Sequence, residues 1–179
     1  MGCSERSSDS MNEREAGPER FCAEVGPRLV GSLTLYCGDR LLAEEFAQEA
    51  LARAVERWAR VGRMVAPEAW TYRTAFNLAR SSFRRAAAER RARARLPRAA
   101  APMPDAADAI AVRDAVRALP PRQRQVIIAR YYLGLDVAET ARVLGCRDGT
   151  VKAHTFKALS NLRAAGLMDE EEKVDDTLG

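Results

Sequence analysis

The stretch DVAETARVLGCRDGTVKAHTFKALSNLR, residues 136–163, has the pattern of two helices joined by a tight turn. Asp136 and Glu139 stand at the spacing of a capping box and open a short first helix. Ala141 is small enough to let a second helix pass closely, Gly145 can take the left-handed turn position, and Val151 reaches back into a small core. Small, glycine and aliphatic residues at these offsets meet the geometric demands of a helix-turn-helix. A helical hairpin in some other bundle is the alternative. The second helix is predicted over about 149–162, with Val151, Ala158 and Leu162 inward. Thr150, Lys152, Ala153, His154, Phe156 and Lys157 then line the outward side or its edges. A recognition helix places its early residues at base edges and its flanks on phosphates. Thr150, Lys152 and Lys157 are accordingly assigned to phosphates, and Ala153, His154 and Phe156 to bases. For His154, a lone histidine, an incidental surface position is an equal alternative.

Upstream, the chain continues to read as helices. Val112, Ala115, Val116 and Leu119 share one face of a helix beginning near Ala109, Pro120-Pro121 restart the chain, and RQRQVIIARYYLGL forms a further helix ending at Gly134. In the N-terminal half, Val25, Leu29, Leu33 and Tyr36 recur at helical spacing after Phe21. Gly38-Asp39 closes that helix and caps the next, which carries Ala43, Phe46, Ala47, Ala50 and Ala54 on one face and runs on toward Trp58. Residues 60–67 form a loop ending in Pro67, a favoured first helical residue. In the helix that follows, Tyr72, Ala75, Phe76, Ala79 and Phe83 fall on one stripe, and Trp70, Arg73, Asn77, Arg80, Ser81 and Arg84 on the other side. The aromatic stripe reads as core rather than as a base-stacking ladder. After Phe83 no apolar stripe remains, and an Ala/Arg/Pro tract becomes a linker by about Pro97.

No period-2 alternation of any length occurs, so the fold class is all-α: two small helical domains joined by a flexible basic linker. The expected boundaries are a disordered tail 1–19, a first domain 20–95, a linker 96–108, a helix-turn-helix domain 109–166 and an acidic tail 167–179.

The net charge of +4 conceals segregation. Residues 1–19 hold two Arg against five acids and residues 169–179 one Lys against six, which leaves about +12 on the middle of the chain. A basic body between acidic ends fits a polyanion partner; a soluble Arg-rich surface is the other reading. No stretch reaches the apolar length of a membrane span and no signal peptide is recognisable, so the expected location is cytoplasmic. Cys3, Cys22, Cys37 and Cys146 lack C-x-x-C pairing and there is one His, which argues against disulfides and against a metal site. There is no nucleophile elbow, carboxylate pair or phosphate-binding glycine loop; neither an enzyme nor a cofactor is expected.

Both halves resemble one family. AEEFAQEALARA (43–54) is similar to the region-2.2 helix of bacterial RNA polymerase sigma factors of the extracytoplasmic-function (group IV) type. PEAWTYRTAFNLARSSFRR (67–85) resembles regions 2.3 and 2.4 of that family, and the span from Leu119 through Leu159 resembles region 4. The resemblance implies a factor that binds core RNA polymerase and directs it to promoters without itself catalysing a reaction. By the same resemblance, Glu44, Glu45, Gln48, Glu49 and Arg53 match the polymerase-docking face. Asn77 matches a residue beside the pocket for a flipped base of the −10 element, and the loop Gly62, Arg63, Met64, Val65 and Ala66 matches the other wall. Arg73, Arg80, Arg84 and Arg85 would hold the DNA backbone, with Trp70 at the edge of the set, and the outward helix 149–162 would take the −35 element. An anti-sigma protein is a further implied partner. The sequence departs from the family at Ser81, at Phe76 and at Arg147, which leaves Asp148 as the expected cap of the recognition helix. The rival reading is a stand-alone helix-turn-helix regulator that binds promoters as a dimer; another is a sigma-like protein that only titrates polymerase.

Overall fold

The computed structural model describes residues 17–93 and 107–167, and the regular structure among them is entirely helical. Helices α1 (Pro18–Cys37) and α2 (Arg40–Glu56) form a hairpin. Gly38 closes α1 in the left-handed region, at φ 72°, and its N–H donates to the Thr34 carbonyl. The Asp39 carboxylate then accepts from the Leu42 N–H at 3.1 Å and opens α2. The buried face of α2 consists of Ala43, Ala47, Ala50 and Ala54. These small residues bring the α2 backbone close to the large residues of α1, among them Leu29, Leu33 and Tyr36, which are fully buried. Ser32 is buried with them, and its hydroxyl donates to the Leu29 carbonyl at 2.8 Å.

A single turn, α3 (Trp58–Val61), leads through the loop to α4 (Pro67–Arg93). Phe21, Ala54 and Val61 make a small second core, with Trp58, Met64 and Trp70 packed against it. The Phe21 and Trp58 rings are 5.0 Å apart. Along α4, Tyr72, Ala75, Phe76 and Ala79 are buried and Phe83 is half-buried, as the stripe predicts. Tyr36 meets Phe76 and Phe83 edge-on, with centroids at 5.7 and 5.8 Å.

The C-terminal unit consists of α5 (Ala107–Ala118), α6 (Pro121–Ile127), a π-helical segment (Ile128–Tyr132), α7 (Val137–Leu144) and α8 (Asp148–Ala164). The capping box is present in both directions: Glu139 N–H donates to Asp136 at 2.7 Å, and Asp136 N–H to Glu139 at 2.9 Å. Gly145 has φ 63° and ψ 47°. Ala141, Val151, Ala158 and Leu162 are buried, together with Leu159, at the centre of the helix-turn-helix.

Four expectations need correction. The first helix starts at Pro18, inside the tail expected to reach 19, because proline suits a first helical position. Val112 is 51% exposed while Val116 and Leu119 are buried, because α5 meets the rest of the fold through its last turns. The helix expected to run to Gly134 changes at Ile128 to π geometry, where the Leu133 N–H donates to the Ile128 carbonyl at 3.0 Å. Asp148 is the first residue of α8 rather than its cap. Arg147 occupies the cap position without a side-chain hydrogen bond, and the Asp148 charge instead complements the helix N-terminus. Beyond these corrections, α1 and α4 share one continuous core with α6, α7 and α8. Of the expected tail 1–19, linker 96–108 and acidic tail 167–179, residues 1–16, 96–106 and 168–179 lie outside the described residues, and α5 starts at Ala107.

Candidate nucleic-acid interface

The basic row of α4 is a consequence of its buried stripe. With Tyr72, Phe76 and Ala79 committed to the core, Arg73, Asn77, Arg84 and Arg85 are exposed on the opposite side. Arg80 lies at the edge of the row, half-buried, with its Nε lacking a hydrogen-bond partner. Burial lowers its guanidinium pKa, and the neighbouring charges of Arg122 and Arg84 lower it further. Trp70 is partly buried against the small second core and is thereby tied to the loop rather than to the row. The loop itself presents Gly62, Arg63 and Val65 to solvent, with Met64 and Ala66 half-buried. Met64 packs on the same small core as Trp70, so the loop and the start of α4 are fixed together. Asn77 stands seven residues beyond Trp70, about 10 Å along the helix axis.

On α8, Thr150, Lys152, Ala153, Phe156 and Lys157 are exposed, as the inward set requires. Phe156 is 73% exposed, an apolar ring in the middle of a basic face. His154 differs: it is half-buried, and its Nδ1 is enclosed without a partner, so the ring stands at the helix flank and not among the outermost residues. Lys152 and Phe156 also line a groove of about 420 Å³ with Arg130, Val137 and Leu159.

The acidic face of α2 lies opposite its alanines. Glu45, Gln48 and Glu49 are exposed and Glu44 and Arg53 half-buried. Arg40 pairs with Glu44 and Arg53 with Glu49, each at 2.8 Å. Leu41, 74% exposed, and Val55, 44% exposed, stand on this same face and were not among the residues expected there. Their spacing carried the signal, since 41, 48 and 55 are seven apart and fall on one line of the helix. Charged and apolar residues together make a face suited to a protein rather than to DNA.

The described residues hold no cluster of His, Cys, Asp and Glu fit for a metal ion, and no helix among them is long and apolar enough to cross a membrane. Cys22, Cys37 and Cys146 are free thiols. Burial raises the pKa of each, that of Cys37 to about 12, which keeps them protonated and poorly nucleophilic.

Residues 22–89 match the family described as Sigma-70 region 2, and residues 109–162 the one described as Sigma-70, region 4. Over 129 residues the chain is 33% identical to the RNA polymerase sigma-E factor of Streptomyces coelicolor, covering 70% of this chain and 72% of that one. It is 33% identical over 134 residues to the ECF RNA polymerase sigma factor SigL of Mycobacterium tuberculosis, covering 70% and 75%. Among solved structures, the sigma factor RpoE in complex with the anti-sigma factor NepR from Bartonella quintana aligns with a TM-score of 0.72 at 22% identity. That alignment covers 84% of this chain and 97% of that one, a likeness of fold. A stand-alone helix-turn-helix regulator would leave the match over 22–89 without explanation, and that reading is not favoured.

Proposed function

The chain belongs to the sigma-70 family, as a sigma factor of the extracytoplasmic-function type acting in promoter-directed transcription, and on that premise we propose how its surfaces divide the work. The face of α2 bearing Leu41, Glu45, Gln48 and Val55, with Glu44, Glu49 and Arg53 at its edges, docks on core RNA polymerase. The row Arg73, Asn77, Arg80, Arg84 and Arg85 holds −10 DNA, and the loop Gly62–Ala66 closes one wall of a pocket for an unstacked base. The outward side of α8 takes −35 DNA in the major groove, with Lys152, Thr150 and Lys157 on phosphates and Ala153 and Phe156 toward base edges. Phe156 offers apolar contact to a thymine methyl. His154, at the flank, contributes less than its position in the sequence implies.

The observation that carries this reading is the separation of faces on α4: aromatic residues buried on one side, arginines and Asn77 displayed on the other. Phosphate contacts give affinity, and flipping a base costs a few kcal/mol, which pocket stacking and edge hydrogen bonds offset. No step in this scheme requires the chain to make or break a covalent bond. It acts in the cytoplasm, where polymerase and DNA are, and an anti-sigma protein restrains it until a signal releases it.

Run-off transcription with purified core polymerase tests the scheme. Core-dependent initiation on at least one candidate promoter is expected, and none on any would sink it. Asn77→Ala should impair open-complex formation more than core binding. Equal loss of both would make Asn77 a structural residue.

A further inference from the structure

We infer that the acidic segment 168–179 docks back into the groove beside α8 and lies along the helix as a strap. The groove, of about 420 Å³, follows one face of α8. Lys152, Phe156, Leu159 and Arg163 line it at helical spacings, together with Arg130 of the π-helical segment and Val137 of α7. Every ionisable residue in this lining is a cation, while Val137, Phe156 and Leu159 supply apolar surface. A ligand that matches both properties carries carboxylates interspersed with aliphatic side chains. The segment MDEEEKVDDTLG, residues 168–179, is of that kind: it holds six acids against Lys173, with Met168, Val174 and Leu178 among them.

The end of α8 starts the segment in a suitable place. Gly166 has φ 75°, its N–H donates to the Arg163 carbonyl at 2.9 Å, and the Leu167 N–H donates to the Leu162 carbonyl at 3.3 Å. This pair of bonds is a Schellman motif, which turns the chain off the helix axis. Leu167 packs back on the shared core, so residue 168 begins beside the last turn of α8 and near Arg163. From Arg163 back to Lys152 the helix measures about 16 Å. Twelve extended residues reach roughly 40 Å, so half of the segment covers the groove, running antiparallel to α8. The attachment is only a few residues long, which gives an effective concentration on the order of 1 mM. Lys152 and Phe156 are also read above as −35 contacts; on that reading the segment and DNA exclude one another at α8, although docking itself does not depend on it.

The test uses the full chain without polymerase or DNA. One variant carries Asp169→Asn, Glu170→Gln, Glu171→Gln, Glu172→Gln, Asp175→Asn and Asp176→Asn together, which changes the segment and leaves the groove intact. The probe is a fluorescein-labelled peptide of residues 168–179, and its binding is read by fluorescence anisotropy. The peptide is expected to bind this amide variant, and to bind the unaltered chain about tenfold more weakly. That ratio follows if the peptide has a Kd of about 100 μM, because the attached segment then fills about 90% of the grooves. Within the amide variant, Lys152→Gln should weaken the peptide, whereas Arg84→Gln, an equal loss of charge on α4 outside the groove, should not. Equal affinity for the amide variant and the unaltered chain would overturn the docking. Weakening by Arg84→Gln and not by Lys152→Gln would place the segment on α4 and overturn the groove as its site. Sedimentation checks the remaining occupant: a dimer of the unaltered chain that the amide variant lacks would put the segment on a second copy and overturn the intramolecular strap. No readout involves polymerase or promoter, so failure of the strap and failure of core-dependent transcription are distinguishable.

Discussion

Arg124 in the C-terminal unit lies 5.7 Å from the centre of the Tyr36 ring in the N-terminal unit and donates to the Tyr36 carbonyl at 2.7 Å. The same guanidinium donates to the Leu119 carbonyl at 3.1 Å and to the Arg117 carbonyl. One planar fork therefore closes the end of α5 and ties it to α1. Desolvation lowers its pKa, and Tyr36 acts in the opposite direction. Arg124→Ala is expected to destabilise the chain by roughly 2–4 kcal/mol, because charged hydrogen bonds are lost and buried carbonyls are left unpaired. Arg124→Lys should recover little, since an ammonium cannot span the three acceptors. The midpoint of urea unfolding checks both.

Cys37 gives a pH signature. Burial, with a further contribution from Asp39, raises its pKa from the ordinary 9.0 to about 12, while Arg124 acts to lower it. The folded state thus favours the neutral thiol. Its contribution is fully present below pH 9.0 and is lost as the pH rises from there toward about 12, where the folded thiol also ionises. Through that window stability should fall by up to about 1.4 kcal/mol per pH unit from this group. Comparing thermal melts of the wild type and Cys37→Ala between neutral pH and pH about 11 isolates it; parallel curves would show that Cys37 does not control the decline.

The basic row makes a salt prediction. Arg73→Ala and Arg84→Ala should each weaken single-strand binding and reduce the slope of log K against log salt by about 0.7, the value for one phosphate contact on a single strand. Asn77→Ala should leave that slope unchanged, because an amide releases no counterion. Titrations at several salt concentrations separate the two classes.

The capping box of α7 is a stability element placed beside the recognition helix. Asp136→Ala leaves the Glu139 N–H without its 2.7 Å acceptor and should cost about 1 kcal/mol. Hydrogen exchange should show the loss concentrated in α7 and α8, with α1 and α2 unaffected. Uniform loss would mean that the shared core transmits the change to the whole molecule.

Much of this was legible in residue spacing. The α4 stripe, the alanine face of α2, the Gly38-Asp39 junction and the Asp136–Glu139 box all depend on short-range geometry, which the sequence states directly. What escaped depends on partners distant along the chain. Val112 has the periodicity of a core residue but lies where α5 is uncovered. His154 falls at an early recognition-helix position, yet packing encloses its Nδ1. Leu41 and Val55 are apolar residues on an outer face, and periodicity alone gives little reason to notice residues that no core requires. The joining of the units was the least legible feature, because it turns on Gly31, Gly38 and Gly145, which meet the side chains of Tyr132, Arg117 and Arg73 from far along the chain.

The π-helical segment bears on how related chains should be compared. A turn closed from Leu133 back to Ile128 contains one more residue than the α-helical turn it replaces. Removing one residue within 128–132 would restore regular winding while keeping one full turn, so the residues that follow would keep about the same direction and move by only one helical rise, roughly 1.5 Å, toward α6. A single-residue gap at this place in an alignment is therefore compatible with the same set of inward-facing side chains on both sides of it.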